Sequence, residues 1–256
     1  MRARRAIVLC AAAVLTACSA APLRDGARPP GDPSAVPDAV PRAEPRSARG
    51  NPPFYEVFGE RYTVLASADG YLERGVASWY GPNFHGGTTS SGEPYDMHAM
   101  TAAHRTLPLP SYVRVTNLSN GRSVVVRVND RGPFKGNRII DLSRTAAAKI
   151  DMLRDGTAIV EVQSVGPSSQ PATHAVTPAK QFYAQAGAFQ EASNARRLAE
   201  RIAAAGFTDV TVLAVRSGAR TVHRVRVGPF ASVISYDSVV ERLRAAGFGP
   251  VILAFD

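Results

Sequence analysis

The last third of this 256-residue chain contains an internal repeat, which restricts the fold more than any other feature of the sequence. Gly187-Ala188-Phe189 recurs as Gly228-Pro229-Phe230, and Ala204-Ala205-Gly206-Phe207 recurs as Ala245-Ala246-Gly247-Phe248, in both cases 41 residues later (228 − 187 and 245 − 204). Each copy predicts a strand, a turn, an amphipathic helix that ends at Gly-Phe, and a second strand. Residues 180–256 are therefore predicted to form an α+β domain of order βαββαβ, with its helices on one face of a sheet.

Residues 75–165 have mostly strand periodicity and predict a separate, mainly β domain. Val124, Val126 and Val128 alternate with other side chains, and Asn120-Gly121 just before them is typical of a type I′ hairpin turn. Ser143 is the expected N-cap of a helix over 144–152, and 158–165 is the expected closing strand. Many short strands with little helix predict a small closed barrel.

The first 18 residues are organised like the signal peptide of a lipoprotein. Arginines at 2, 4 and 5 precede an apolar run over 6–14, which is too short to span a bilayer because about 20 residues are needed. Leu15-Thr16-Ala17-Cys18 follows, so we expect removal of residues 1–17 and lipidation of Cys18. Ser19 resembles the outer-membrane sorting pattern. An uncleaved anchor, or a secretion signal that happens to contain a cysteine, is the alternative.

Two segments have the composition of linkers. Residues 19–53 contain nine of the 19 prolines and few large apolar side chains, so 18–53 is predicted to be a disordered tether. Residues 54–74 are more apolar and are expected to be an ordered lead-in. Residues 166–179 are rich in Pro, Ser, Thr and Ala and are expected to be a second disordered linker.

Charge and cysteine content limit the partners. The formal charge of +9 becomes 9 − 3 = +6 once the signal peptide with its three arginines is removed, which favours anionic envelope polymers. Export argues against nucleic acid. Cys10 would leave with the signal and Cys18 would carry lipid, so no disulfide is expected.

The histidines lack metal-ligand spacing and no phosphate loop is present, so neither a metal nor another cofactor is expected.

Several motifs together resemble one known family. They are Gly75-Val76-Ala77-Ser78-Trp79-Tyr80-Gly81, Phe84-His85-Gly86, Thr89-Ser90-Ser91-Gly92-Glu93, Thr101-Ala102-Ala103-His104, Arg127-Val128-Asn129-Asp130-Arg131-Gly132-Pro133 and Asp141-Leu142-Ser143. From about residue 75 to its end the chain is similar to the rare lipoprotein A (RlpA) family. The resemblance implies a double-psi β-barrel over 75–165 and a sporulation-related repeat (SPOR) domain over 180–256. It also implies a lytic transglycosylase that cleaves naked peptidoglycan strands and leaves 1,6-anhydro ends, at the division septum and beside possible divisome proteins.

Three residues match the family positions implicated in activity. Asp130 matches the catalytic aspartate, and a strand end would hold it at the mouth of the barrel. Glu93 and His104 match the two others and would orient the substrate or tune the acid. Without the family match, Asp130 would more often pair with Arg131 or cap its turn, Glu93 would be a solvated loop residue and His104 a packed residue of a short helix. Trp79 and Tyr80 would stack on sugar rings or fill the core, and Asp141 is expected to be structural.

In the repeat domain the resemblance implies binding of denuded glycan. Strand alternation places Tyr183 and Gln185 on one face, and Arg224 with Arg226 on one face of another strand. If these faces coincide, they form a floor suited to sugar rings, to which Gln181 also belongs. Phe182, Phe189 and Phe230 are expected to be core.

Two other functions stay open at this point. The first is a wall-binding lipoprotein without activity, which the presence of Glu93, His104 and Asp130 argues against. The second is an RNA-binding module, since βαββαβ is also the order of the RRM fold. An RNP1-like motif is absent from the sequence, and the signal peptide directs the chain to the envelope.

Overall fold

The computed structural model describes residues 32–167, 181–218 and 220–255. A hairpin comes first, formed by β1 (Phe54–Val57) and β2 (Glu60–Thr63). Six strands follow: β3 (Leu72–Trp79), β4 (Thr101–His104), β5 (Ser111–Asn117), β6 (Ser123–Asp130), β7 (Arg138–Leu142) and β8 (Thr157–Ser164), with α1 (Arg144–Lys149) between the last two. The expected signal peptide, the lipidation of Cys18 and most of the linker at 166–179 lie outside these residues. Within them, no helix is long and apolar enough to cross a membrane.

Strands β3 to β8 close into a barrel in the order β3-β7-β4-β6-β5-β8. The pairs β3–β7 and β4–β6 are parallel, and the other neighbours are antiparallel. Val124, Val126 and Val128 are fully buried, which confirms the periodicity that predicted this strand. The barrel brings the carboxyl end of β6 next to β4, and this junction positions Asp130.

The predicted turn lies where expected, but its type is wrong. Asn120-Gly121 lies in the connection between β5 and β6, and Gly121 has a φ of 73° whereas Asn120 does not have a positive φ, so this is not the type I′ turn that the sequence predicted. The Ser143 hydroxyl accepts a hydrogen bond from the amide of Ala146 and caps α1, as predicted, but α1 ends at Lys149 rather than Met152. The chain leaves the helix there because Asp151 adopts a positive φ of 58°.

The repeat domain has the predicted βαββαβ order. It consists of β9 (Phe182–Phe189), α2 (Ala192–Ala204), β10 (Val210–Ser217), β11 (Arg220–Phe230), α3 (Val233–Ala245) and β12 (Ile252–Phe255). Its antiparallel sheet has the order β10-β11-β9-β12, so the first strands of the two copies, β9 and β11, lie side by side at the centre. Phe182, Tyr236 and Leu243 belong to the core between sheet and helices.

The expected disordered tether over 18–53 needs a correction in its second half, because residues 32–53 pack against the barrel. The β4–β6 register begins at Arg127, which leaves the backbone of Val125 without a partner from β4. Asp38 accepts a hydrogen bond from the Val125 amide at 2.8 Å, and the Ala39 amide donates to the Val125 carbonyl at 3.0 Å. Composition predicted disorder because the segment lacks core formers, but polar groups that satisfy a free strand edge hold it instead.

The lead-in at 54–74 contains the β1–β2 hairpin, which docks through aromatic side chains. Tyr55 stacks on Tyr62 at 5.3 Å between ring centroids, and both rings contact Phe134. The Tyr55 hydroxyl donates a hydrogen bond to the Arg105 carbonyl at 2.7 Å. The hairpin therefore covers the loop that follows Asp130.

Candidate active site

Asp130 ends β6, and its two carboxylate oxygens have different surroundings. Oδ1 accepts three hydrogen bonds, from the amide and hydroxyl of Ser90 and from the amide of Arg131, each at 2.7 Å. Oδ2 accepts one, from the hydroxyl of Tyr80 at 3.2 Å. The side chain is half-buried. Oδ1 is thus saturated and fixed, whereas Oδ2 retains the capacity to exchange a proton with a substrate.

A tight turn over residues 89–93, here called the 89–93 turn, brings Ser90 to Asp130. The amide and the hydroxyl of Thr89 both donate to the Glu93 carbonyl at 2.8 Å, and the Gly92 amide donates back to the Thr89 carbonyl at 2.9 Å. Gly92 has a φ of 97°, a conformation that favours glycine. The Thr-Ser-Ser-Gly-Glu sequence therefore specifies the turn locally.

Glu93 lies at the other end of the same turn and is held by two side chains. Nη1 of Arg127 donates to both carboxylate oxygens of Glu93 at 2.9 and 2.7 Å, and Nδ2 of Asn129 donates at 2.9 Å. Burial opposes ionisation, but these hydrogen bonds outweigh it and hold the pKa of Glu93 below its ordinary value. Glu93 is a carboxylate with fixed orientation rather than a loosely solvated side chain, and it lies on the turn whose Ser90 binds Asp130.

Arg131, the alternative partner of Asp130, directs its guanidinium elsewhere. Nε donates to the carbonyl of Gly50 at 2.8 Å, and Nη1 donates to the carbonyls of Leu107 and His104 at 2.5 and 3.1 Å. Only the backbone amide of Arg131 contacts the Asp130 carboxylate. This arginine fixes the surrounding loops, and its guanidinium forms no hydrogen bond to the Asp130 carboxylate.

His104 ends β4 and is only 2% exposed. Its Nδ1 accepts hydrogen bonds from the amides of Thr106 and Leu107, both at 3.1 Å, so the proton lies on Nε2, which is 2.8 Å from the Tyr71 hydroxyl. Burial, with the charges of Arg105 and Arg131, lowers the pKa of His104 to about 3. The structure therefore places a neutral, structurally engaged imidazole here, on a strand and not in a short helix.

Two aromatic residues extend the site outward from Asp130. Burial, with the Asp130 charge, raises the pKa of Tyr80, so its hydroxyl stays protonated and donates to Oδ2. The Phe84 ring packs edge-on against Tyr80 at 5.9 Å and is 61% exposed. Trp79 packs against the barrel core instead. Sequence reasoning missed Phe84 and Ser90 as site residues, although both lie within the motifs that carry the family resemblance.

Asp141 lies across the sheet from Asp130. The register runs from Asp141 on β7 through Ala103 on β4 to Asp130 on β6. The Ser78 hydroxyl hydrogen bonds to Asp141. Burial raises the pKa of Asp141, and the nearby Asp130 adds to this effect. Its engagement by Ser78 fits the expected structural role.

Four of the five candidate glycan-binding residues of the repeat domain lie together, namely Gln181, Tyr183, Gln185 and Arg226. Gln185 lies opposite Arg226 in the β9–β11 register, and the Arg226 guanidinium lies 5.2 Å from the centre of the Tyr183 ring. The Tyr183 hydroxyl donates to Gln181 at 2.9 Å. Arg226 is only 3% exposed, so it supports Tyr183 from beneath and does not offer an open charge. Arg224 is half-buried and lies opposite Leu213 and Ala188.

Comparison with known proteins places both domains. Residues 72–162 match the double-psi β-barrel (DPBB) family model described as a lytic transglycolase, and residues 178–254 match the SPOR domain model. A protein of Vibrio cholerae named endolytic peptidoglycan transglycosylase RlpA is 42% identical over 200 residues, which cover 76% of this chain and 73% of that protein. The protein of the same name from Pseudomonas aeruginosa is 36% identical over 260 residues, covering 79% and 76%. A Neisseria meningitidis protein of that name is 58% identical over 113 residues, covering 44% and 47%.

Proposed function

The chain belongs to the RlpA family, and from this premise we propose that it cleaves peptidoglycan glycan strands as an endolytic transglycosylase. Its barrel is the double-psi β-barrel of that family, and its C-terminal domain is a SPOR domain. The observation that carries the proposal is the asymmetry of the Asp130 carboxylate. Among the residues that the structure describes, three donors hold Oδ1, and Oδ2 accepts only from the Tyr80 hydroxyl.

In the proposed reaction Asp130 acts first as acid and then as base. Protonated Oδ2 donates its proton to the glycosidic oxygen as the bond between the anomeric carbon of MurNAc and O4 of GlcNAc breaks. The same oxygen then accepts the proton of the MurNAc 6-hydroxyl as that hydroxyl oxygen bonds to the anomeric carbon. The products are a GlcNAc 4-hydroxyl and a 1,6-anhydro end, and water is not consumed, so a second carboxylate is not required as nucleophile.

Glu93 and His104 have different proposed roles. Glu93, held ionised by Arg127 and Asn129, places a negative charge on the turn that also carries Ser90. That charge stabilises the positive charge that develops at the anomeric carbon. His104, buried and neutral, holds the amides of Thr106 and Leu107 and thereby positions the loop whose carbonyls bind Arg131.

Phe84 is the proposed sugar contact of the barrel. Its exposed ring adjoins Tyr80, whose hydroxyl reaches Oδ2 of Asp130, so a pyranose stacked on Phe84 lies beside the acid. An apolar ring face in water gains free energy when a sugar face covers it. This surface would orient the glycan strand before cleavage.

The SPOR domain and the N-terminal lipid anchor would determine where in the envelope the protein acts. We propose that Gln181, Tyr183, Gln185 and Arg224 bind glycan that lacks stem peptides, with buried Arg226 supporting the Tyr183 ring, and that this binding concentrates the enzyme on naked strands at the septum. Lipidation of Cys18 would hold the protein at the outer membrane, facing the periplasm and the divisome.

The test uses the full-length lipoprotein in detergent with peptide-free glycan strands. Mass spectrometry should detect new 1,6-anhydro-MurNAc ends with the wild type, and Asp130→Asn should produce them at least about 100-fold more slowly because Oδ2 is lost as an acid. Asp155→Asn, a change at an exposed loop carboxylate, is the matched control. Equal products from Asp130→Asn would refute the role of Asp130. Glycan binding without cleavage by the wild type would leave the non-catalytic wall-binding function.

A further inference from the structure

The segment from Asp38 to Asn51, here called the strap, crosses the barrel beside the 89–93 turn. Gly50 has a φ of 77°, and a Cβ built on it would lie 2.8 Å from the carbonyl oxygen of Ser90 and 2.8 Å from a methyl group of Leu109. The Asn51 side chain donates to the Leu109 carbonyl at 2.7 Å and accepts from the Leu109 amide at 2.8 Å. The strap backbone is thus in direct contact with the turn that carries Ser90 and Glu93.

A second contact reaches Glu93 through one arginine. Nε and Nη2 of Arg127 donate to the two carboxylate oxygens of Glu44 at 3.1 and 2.8 Å, while Nη1 of the same guanidinium donates to Glu93. Tyr112 and Arg42 also hydrogen bond to Glu44. The side chains of Glu44 and Arg127 are 19% and 17% exposed, so water competes little for this contact.

The planar guanidinium makes the two contacts interdependent. A carboxylate that binds one edge of the plane through two hydrogen bonds fixes the direction of the remaining nitrogen. Without that restraint a long arginine side chain samples many rotamers and loses its fixed orientation. The hydrogen bonds from Arg127 also lower the pKa of Glu44 to about 2. Glu44 is therefore ionised at neutral pH and continues to bind Arg127 there.

We propose that the strap is part of the catalytic unit and that Glu44 is a positioning residue, which holds Arg127 in the orientation that binds Glu93. Its catalytic consequence rests on the proposed function. The unit that performs cleavage therefore begins near residue 38, upstream of the 72–162 segment recognisable from sequence comparison.

The experiment compares Glu44→Gln with Glu56→Gln in the full-length protein. Glu56 is a matched control because it also accepts a hydrogen bond from an arginine Nε at 3.1 Å, from Arg61, with no contact to Arg127. In Glu44→Gln we expect kcat for anhydro-end formation to fall about tenfold with KM nearly unchanged. Amide hydrogen exchange in the 89–93 turn should become several-fold faster, and Glu56→Gln should change neither quantity.

A double-variant cycle shows whether Glu44 acts through Arg127. Arg127→Gln should lower kcat, and adding Glu44→Gln to it should cause no further loss, because the contact is already absent. Additive losses would overturn the proposal. So would unchanged exchange of the 89–93 turn in Glu44→Gln, or faster exchange with unchanged kcat.

Failure of Glu44→Gln to fold, and failure of the proposed function, are both distinguishable from failure of this proposal. If Glu44→Gln does not fold by Trp79 fluorescence, Glu44→Asp, which withdraws the carboxylate by one methylene, is measured with the same expectations. A wild type that forms no anhydro ends refutes the proposed function and with it the catalytic role of Glu44. Exchange of the turn in Glu44→Gln then decides separately whether Glu44 orders it.

Discussion

Oδ1 of Asp130 accepts hydrogen bonds from both the amide and the hydroxyl of Ser90, each at 2.7 Å, although 40 residues separate the two. The pair joins the end of β6 to the 89–93 turn. It also leaves Oδ2 as the oxygen that faces the Tyr80 hydroxyl and, in the proposed reaction, the substrate. Orientation of the acid therefore depends on a neighbouring serine.

Ser90→Ala tests this dependence. The substitution removes one of three donors to Oδ1 and leaves the amide in place, so Asp130 should lose orientation while the barrel stays folded. A hydrogen bond to a charged group contributes about 1.5–3 kcal/mol, and we expect kcat to fall roughly tenfold. Steady-state rates of anhydro-end formation measure it. Ser91→Ala, which removes a hydroxyl bonded to Thr89 in the same turn, should have little effect, and equal losses in both variants would contradict the prediction.

Phe84→Ala tests the proposed sugar platform. Loss of the exposed ring should raise KM about 3- to 10-fold with little change in kcat, because stacking stabilises substrate and transition state alike. Phe84→Trp should restore the wild-type KM. The control is Phe58→Ala, since Phe58 is 92% exposed at the tip of the β1–β2 hairpin. An unchanged KM in Phe84→Ala, or the same rise in Phe58→Ala, would remove Phe84 from the substrate path.

Tyr183→Ala tests the SPOR surface. The Tyr183 ring lies over the buried Arg226 guanidinium, and its truncation should weaken binding of peptide-free glycan about 3- to 10-fold. Co-sedimentation with purified strands measures the affinity. Ile234→Ala, at a 70% exposed position on α3, provides a control surface change. Unaltered binding by Tyr183→Ala would place the glycan elsewhere.

Local signals explain which parts of the fold could be predicted. The valine alternation of β6, the Asn120-Gly121 turn and the Ser143 cap are all encoded within a few residues, and so is the repeat that gives α2 and α3. The strap could not be predicted in this way, because its order depends on polar pairing with distant residues, Asp38 with Val125 and Glu44 with Arg127.

The candidate site shows the same division. Family motifs predicted which residues belong to the site, but the roles of these residues depend on partners far along the chain. Glu93 of the 89–93 turn binds Arg127 of strand β6, and both ring nitrogens of His104 are engaged, by two backbone amides and by the Tyr71 hydroxyl. Burial and the direction of hydrogen bonds show whether a histidine positions other groups or reacts itself. The spacing of residues along the sequence gives information on neither property.

His104 predicts how the stability of the barrel depends on pH. Its folded pKa of about 3 lies below the ordinary 6.5, so its contribution is complete above pH 6.5. The contribution is lost as the pH falls towards 3, because the unfolded chain binds a proton that the folded ring excludes. The free energy of unfolding should therefore be about 2 kcal/mol lower at pH 5 than at pH 7 because of His104.

Urea unfolding followed by Trp79, the single tryptophan, measures that loss in the barrel. His104→Asn keeps an acceptor for the amides of Thr106 and Leu107 but does not titrate, so its stability should fall by about 2 kcal/mol less than that of the wild type between pH 7 and pH 5. An identical decrease in both proteins would show that His104 is not the group responsible.

Gly50→Ala tests whether close contact between the strap and the 89–93 turn stabilises the barrel. Gly50 and Gly59 have nearly equal φ values, 77° and 79°, so alanine costs about 1 kcal/mol at either position from backbone strain alone. At Gly59 no atom lies within 4 Å of the added Cβ, whereas at Gly50 the carbonyl oxygen of Ser90 lies 2.8 Å away and must move. Gly50→Ala should therefore be about 2 kcal/mol less stable than Gly59→Ala by Trp79-monitored urea unfolding. The displaced carbonyl belongs to Ser90, the residue that holds Asp130, so kcat should fall in Gly50→Ala and not in Gly59→Ala. Equal effects of the two substitutions would mean that the strap only lies on the surface of the barrel.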